Sequence, residues 1–153
     1  VTTVTLAGHA AGQVGANVPS LSDGLGGFRL ILHVLAATIW VGGQFTVVGL
    51  LPTVRTFGED APKAVGRALG RLLWPAYAVL VVTGFWNIGA LTVKDASSAW
   101  KAVLMVKIAV VVVAGVAVFL HQRASSRRST AIWGAIGALA SVAALCLGVF
   151  LAG

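Results

Sequence analysis

The sequence predicts an all-α protein, an integral membrane four-helix up-down bundle, and three observations carry that prediction. Of 153 residues, 58% are hydrophobic and only 10% are charged, against roughly 25% charged in an ordinary soluble domain. The apolar residues gather into four runs of about the 20 residues that a helix needs to cross the hydrocarbon core. The linkers between those runs alternate between strongly and weakly basic. Continuous runs of this length argue against a β-barrel, whose strands are short and alternate. The high hydrophobicity excludes disorder. A single cysteine, Cys146, excludes an internal disulfide and a cysteine-built zinc site.

Residues 1–26 are rich in Gly, Ala, Ser and Thr and have neither a basic start nor a hydrophobic block, so they read as an extracytoplasmic segment and not as a signal peptide. His9 lies there, but an amino-terminal copper clip needs a histidine third, where Thr3 stands. Ser22 or Asp23 is placed to cap the first helix. The four-helix domain occupies 27–153, with spans at about 28–52, 72–93, 101–122 and 130–152. Leu30 to Val54, Leu72 to Val93 and Ser129 to Gly153 hold no charge, and the stretch from Ala102 to Gln122 is interrupted by Lys107 alone.

The loops set the orientation. Arg55, Lys63, Arg67 and Arg71 lie between the first two spans, and Arg123, Arg127 and Arg128 between the last two. The opposite side carries Arg29, Lys94 and Lys101. Basic loops stay in the cytoplasm, so both termini are expected to be extracytoplasmic, and the +7 net charge is a topology signal and not a nucleic-acid footprint. In the first loop, Glu59, Asp60 and Pro62 form a helix-start signal. Lys63, Arg67 and Arg71 then repeat every four residues opposite Ala64, Val65, Ala68, Leu69 and Leu72. This predicts a short interfacial helix, a basic collar on the bilayer, before Pro75 opens or kinks the second span.

Lipid gives helices no hydrophobic reason to associate, so small residues must let them approach. Gly134 with Ala138, Gly137 with Ser141, Gly148, Ala114, Gly115 and Gly84 supply such positions.

Polar groups inside a bilayer are costly and mark function. His33 lies roughly 8 Å inside the outer boundary at 1.5 Å per residue, and His33, Ala37, Trp40 and Gln44 form one stripe. Thr83 and Asn87 share a face of the second helix; Met105 and Lys107 lie near the outer end of the third, and Cys146 near that of the fourth. These residues fall in one outer layer. His, Met and Cys suit Cu(I), and His with Met is also a known haem-iron pair. The metal candidates are therefore His33, Met105 and Cys146, with Trp40 and Asn87 supporting them. Residues two apart differ by about 200° around a helix, so only one of Met105 and Lys107 points squarely inward, and the sequence leaves both arrangements open. An inward Lys107 calls for an anion such as a porphyrin propionate or for a hydrogen-bonding cluster with Asn87, and the first of these makes His33 and Lys107 the cofactor-binding candidates. His121 lies at the other side of the membrane, on the order of 20 Å away, and reads as an interfacial residue.

No span contains an Asp or Glu, and no nucleophile elbow, phosphate-binding loop or zinc-protease motif occurs. Acid–base hydrolases and carboxylate-driven proton pumps are disfavoured on that count.

His33, six intervening residues, then Trp40, Val41, Gly42 and Gly43 resemble the opening helix of CopD-like copper-resistance membrane proteins. Thr83-Gly84 resembles that family's Thr-Gly step, and Trp100 to Lys107 resembles its approach to the next helix. The resemblance extends over nearly all of the chain after residue 27. It implies copper binding, transport or homeostasis at the outer face, with copper as the cofactor. The chain is also similar to HemJ-type four-helix protoporphyrinogen oxidases in its first-helix His and Trp, in Pro52 and Arg55, and in the third-helix Lys. Here Pro and Arg are separated by two residues and not adjacent, a departure from that pattern. This second resemblance implies haem b on His33. An accessory subunit of a larger membrane complex, such as a respiratory oxidase, is the structural alternative, with other membrane subunits as partners beside the lipid bilayer.

Overall fold

A run of apolar residues in lipid has one way to satisfy its own backbone, which is to become a helix. The computed structural model describes residues 24–152, and four helices hold nearly all of them: α1 (Gly24–Arg55), α2 (Ala61–Gly89), α3 (Ser98–Arg123) and α4 (Arg127–Ala152). Each is long and apolar enough to cross a membrane. No strand occurs among the described residues. The chain is an all-α four-helix bundle. His9 and the Ser22 or Asp23 cap lie outside the described residues.

Helix boundaries depart from the hydrophobic runs where hydrogen bonding outlasts hydrophobicity. α1 starts at Gly24 and continues through Pro52 to Arg55. The turn that follows is made at Gly58, whose φ of 114° is a left-handed value that costs glycine nothing. The expected short interfacial helix is not a separate element. It forms the first turns of α2, which runs on from Ala61 through Pro75. Pro75 removes only the bond to the carbonyl of Arg71, an exposed residue. The second apolar run is expected to reach Val93, but α2 stops at Gly89 and Val93–Asp95 form a 3-10 turn. Ser97 then caps α3, its hydroxyl accepting from the Trp100 N–H at 3.2 Å.

The helices run up and down, α1 packing closely on α2 and α3 on α4, with α1 touching α4 over a shorter length. We refer to the end holding the starts of α1 and α3 as the upper end. The interior is built of small residues: Ala36, Ala76, Ala114, Gly115, Ala117, Gly137 and Ser141 are buried. Large apolar residues face outward, Phe45, Phe85 and Phe150 being 58%, 63% and 77% exposed. This inverts the order of a soluble protein and is what lipid as solvent predicts.

Close approach at named glycines sets the helix spacing. A Cβ on Gly137 would lie 3.0 Å from Val118, and one on Gly115 would collide with the Tyr77 hydroxyl. That hydroxyl donates to the Val111 carbonyl at 2.9 Å, joining α2 to α3. Trp40 is buried between Trp74 and Tyr77, with ring centroids 6.0 and 4.7 Å away. Its indole N–H donates to Ser141 Oγ at 3.0 Å, and Gln44 donates to the same oxygen at 3.0 Å. Ser141 passes its own proton to the Gly137 carbonyl at 2.7 Å. The hydroxyl therefore fills both lone pairs and its one donor, a complete polar contact at the α1–α4 seam.

Candidate functional site in the upper half of the bundle

α1 and α2 run antiparallel, and their register brings His33 level with Thr83. His33 Nδ1 lies 2.8 Å from Thr83 Oγ1. The Thr83 hydroxyl proton is already committed to the Val79 carbonyl, 2.6 Å away, so Oγ1 has only lone pairs to offer the imidazole. His33 Nδ1–H therefore donates, and in the neutral ring the lone pair resides on Nε2. The Leu80 carbonyl also lies within reach of the ring, no side chain of a described residue bonds Nε2, and the ring is half-buried. An anchored Nδ1–H with an open Nε2 is the arrangement of a metal-ligating histidine. Gly84 lies alongside: a Cβ there would sit 3.7 Å from His33 Cε1, in ordinary contact.

The third helix resolves the choice that its sequence leaves open. Met105 is 65% exposed on the outside of the bundle, whereas Lys107 is half-buried. The Lys107 ammonium reaches across to α4, 3.1 Å from where a Gly148 Cβ would be. It makes no hydrogen bond or ion pair with a described residue; the one ion pair among these residues is the exposed Lys63–Asp60 contact at 3.4 Å. A half-buried cation without a partner anion is costly in this setting.

Other expected members of the site are placed differently. Cys146 is exposed on α4, so neither it nor Met105 joins His33. Among the described residues no group of three or more His, Cys, Asp or Glu side chains is placed to hold a metal ion. Trp40 lies two turns below His33 on α1 and bonds Ser141, so it orders the core and does not orient the imidazole. Thr83 does that. Asn87 is half-buried one turn above Thr83, and its amide bonds no described residue.

His121 belongs to the opposite end, where its Nδ1–H donates to the Thr130 carbonyl at 2.8 Å and the ring packs over Gly134. Beside it Gln122 accepts from the Trp74 indole at 3.0 Å, and Arg123 lies 4.4 Å over the Phe119 ring.

The seam between α2 and α3 differs along its length. Its lower half is tied by the Trp74–Gln122 and Tyr77–Val111 hydrogen bonds. Above Tyr77 no hydrogen bond between described residues joins the two helices. The site flanks this unlatched stretch.

No family model matches the chain, and neither a curated protein nor a solved structure does.

Proposed function

We propose that the protein is a multi-pass membrane protein that binds haem b in the extracytoplasmic half of its bundle, with His33 as the axial ligand. One observation carries the reading: His33 has its Nδ1–H anchored on Thr83 and its Nε2 open, in the same half of the bundle as an unpaired Lys107. The anchor fixes the tautomer and raises the basicity of the ligating nitrogen. Lys107 supplies the positive charge that a propionate carboxylate requires. The stretch of the α2–α3 seam above Tyr77 gives an apolar macrocycle a lateral route from the lipid. Haem bound there would supply one-electron chemistry at iron. The resemblance to HemJ-type proteins agrees with this assignment.

Copper handling in the manner of CopD-like proteins draws less support from the site. Cu(I) favours several soft ligands, and Met105 and Cys146 face away from His33. A neighbouring ammonium also opposes a bare cation, by Coulomb's law.

The test is to purify the protein in mild detergent and record its visible spectrum and metal content. A Soret band and stoichiometric iron are expected, both lost in His33→Ala. Stoichiometric copper without a Soret band overturns the haem reading in favour of copper. Neither signal, with co-purification of a large membrane complex, makes the chain an accessory subunit.

A further inference from the structure

Arg29 is one turn above His33 on α1, at the i−4 position, and so shares its face. The face that carries His33 is packed against α2 through Thr83. Arg29 Nε is buried and bonds nothing, the one buried side-chain nitrogen or oxygen among the described residues found in that condition. Buried donors in folded proteins are almost always paired, so an orphan needs a reason. Asn87 occupies the matching level on α2, one turn above Thr83, with its amide also unbonded among the described residues. Lys107 on α3 directs its ammonium at Gly148, near the upper end of α4. Two cations and an amide thus stand in the upper half of the bundle, Arg29 and Asn87 one turn above the His33–Thr83 level, with no carboxylate among the described residues paired to them.

We propose that Arg29, Asn87 and Lys107 form an anion-binding rim above His33 that recognises the two carboxylates of a porphyrin, Lys107 holding one and Arg29 with Asn87 the other. The inference rests on the porphyrin reading of the site. Arginine suits this role because its planar fork donates two parallel hydrogen bonds to a carboxylate. A lipid phosphate offers similar chemistry at this depth, so the experiment separates the two sources.

Iron-free protoporphyrin IX and its dimethyl ester are titrated into the purified protein and followed by porphyrin fluorescence. Dropping the iron removes ligation by His33, and the ester removes the carboxylates alone. The wild-type protein is expected to bind the free acid at least about tenfold more tightly than the ester, the size of one charge-assisted hydrogen bond. Arg29→Gln loses most of that preference, and Arg29→Lys, which restores the charge without the fork, recovers part of it. If Arg29→Gln, shown to be folded by its unfolding midpoint, discriminates acid from ester as well as the wild type does, the rim is overturned while a His33-dependent Soret band still stands. If the preference holds but no haem spectrum is found, the rim stands and the axial-ligand reading falls. Loss of the wild-type preference on moving from detergent into phosphatidylglycerol nanodiscs assigns these cations to lipid headgroups and overturns the proposal.

Discussion

His33 is functional in appearance because of what Thr83 does to it. An imidazole whose Nδ1–H is fixed presents its other nitrogen in one orientation, and outer partners of this kind are typically worth 10- to 100-fold in metal affinity. Thr83→Val keeps the shape and removes the acceptor. It is expected to weaken haem binding by about that factor while Thr83→Ser retains it, measured by titrating haem into haem-depleted protein at the Soret band. A Thr83→Val protein that binds as tightly as the wild type would remove Thr83 from the site. At this scale the sequence is legible in part. His33 stands out as a histidine deep in an apolar span, but its partner depends on the α1–α2 register, which spacing within either helix does not encode. Met105 and Lys107 are separated by a helical phase that two residues of sequence leave ambiguous, and packing against Gly148 settles it. Arg29 reads as a topology charge until its i−4 relation to His33 is joined to the burial of its Nε.

Helices in lipid associate only as closely as their small residues allow, and that makes the glycines unequal. Gly115 is occupied against by Tyr77, whose hydroxyl also holds the Val111 carbonyl, so one methyl group disturbs packing and a hydrogen bond together. Gly49, exposed on α1, has nothing within 4 Å of its Cβ position. Gly115→Ala is expected to destabilise the bundle by about 1–3 kcal/mol, the usual cost of overpacking, and Gly49→Ala to leave it unchanged. Unfolding in mixed micelles, followed by tryptophan emission from the buried Trp40, measures both. Equal midpoints for the two variants would contradict the packing described between α2 and α3. The number and length of the elements are legible from hydrophobic runs, since four runs give four helices. Their ends are not, because a helix stops where its hydrogen bonds stop: α2 begins 11 residues before its apolar run, at Ala61, and stops at Gly89 while apolar residues continue to Val93.

The molecule as a whole has small residues along its interior and large apolar ones outside, with the site confined to one end and the basic residues gathered at the other. The connection of α1 to α2 and the first turns of α2 carry Arg55, Lys63, Arg67 and Arg71, while Arg123, Arg127 and Arg128 flank the α3–α4 connection. The upper end carries Arg29, Lys94 and Lys101, and of these Lys101 spends its ammonium on the Lys94 carbonyl at 2.9 Å. We propose from this asymmetry that the bundle sits with its basic connections in the cytoplasm, an orientation that would put His33 in the extracytoplasmic leaflet and let its ligand enter from outside or from the outer lipid layer. The single cysteine makes this testable, because Cys146→Ala leaves a chain without thiols. In that background, Lys94→Cys on the upper connection is expected to react with a membrane-impermeant maleimide in intact cells. Arg127→Cys on the lower one is expected to react only after the membrane is permeabilised. Labelling in the reverse order would turn the bundle over and move the His33 site to the cytoplasmic leaflet. The His33–Thr83 hydrogen bond and the approach of Lys107 to Gly148 would survive that outcome, but any ligand would then have to reach them from inside the cell.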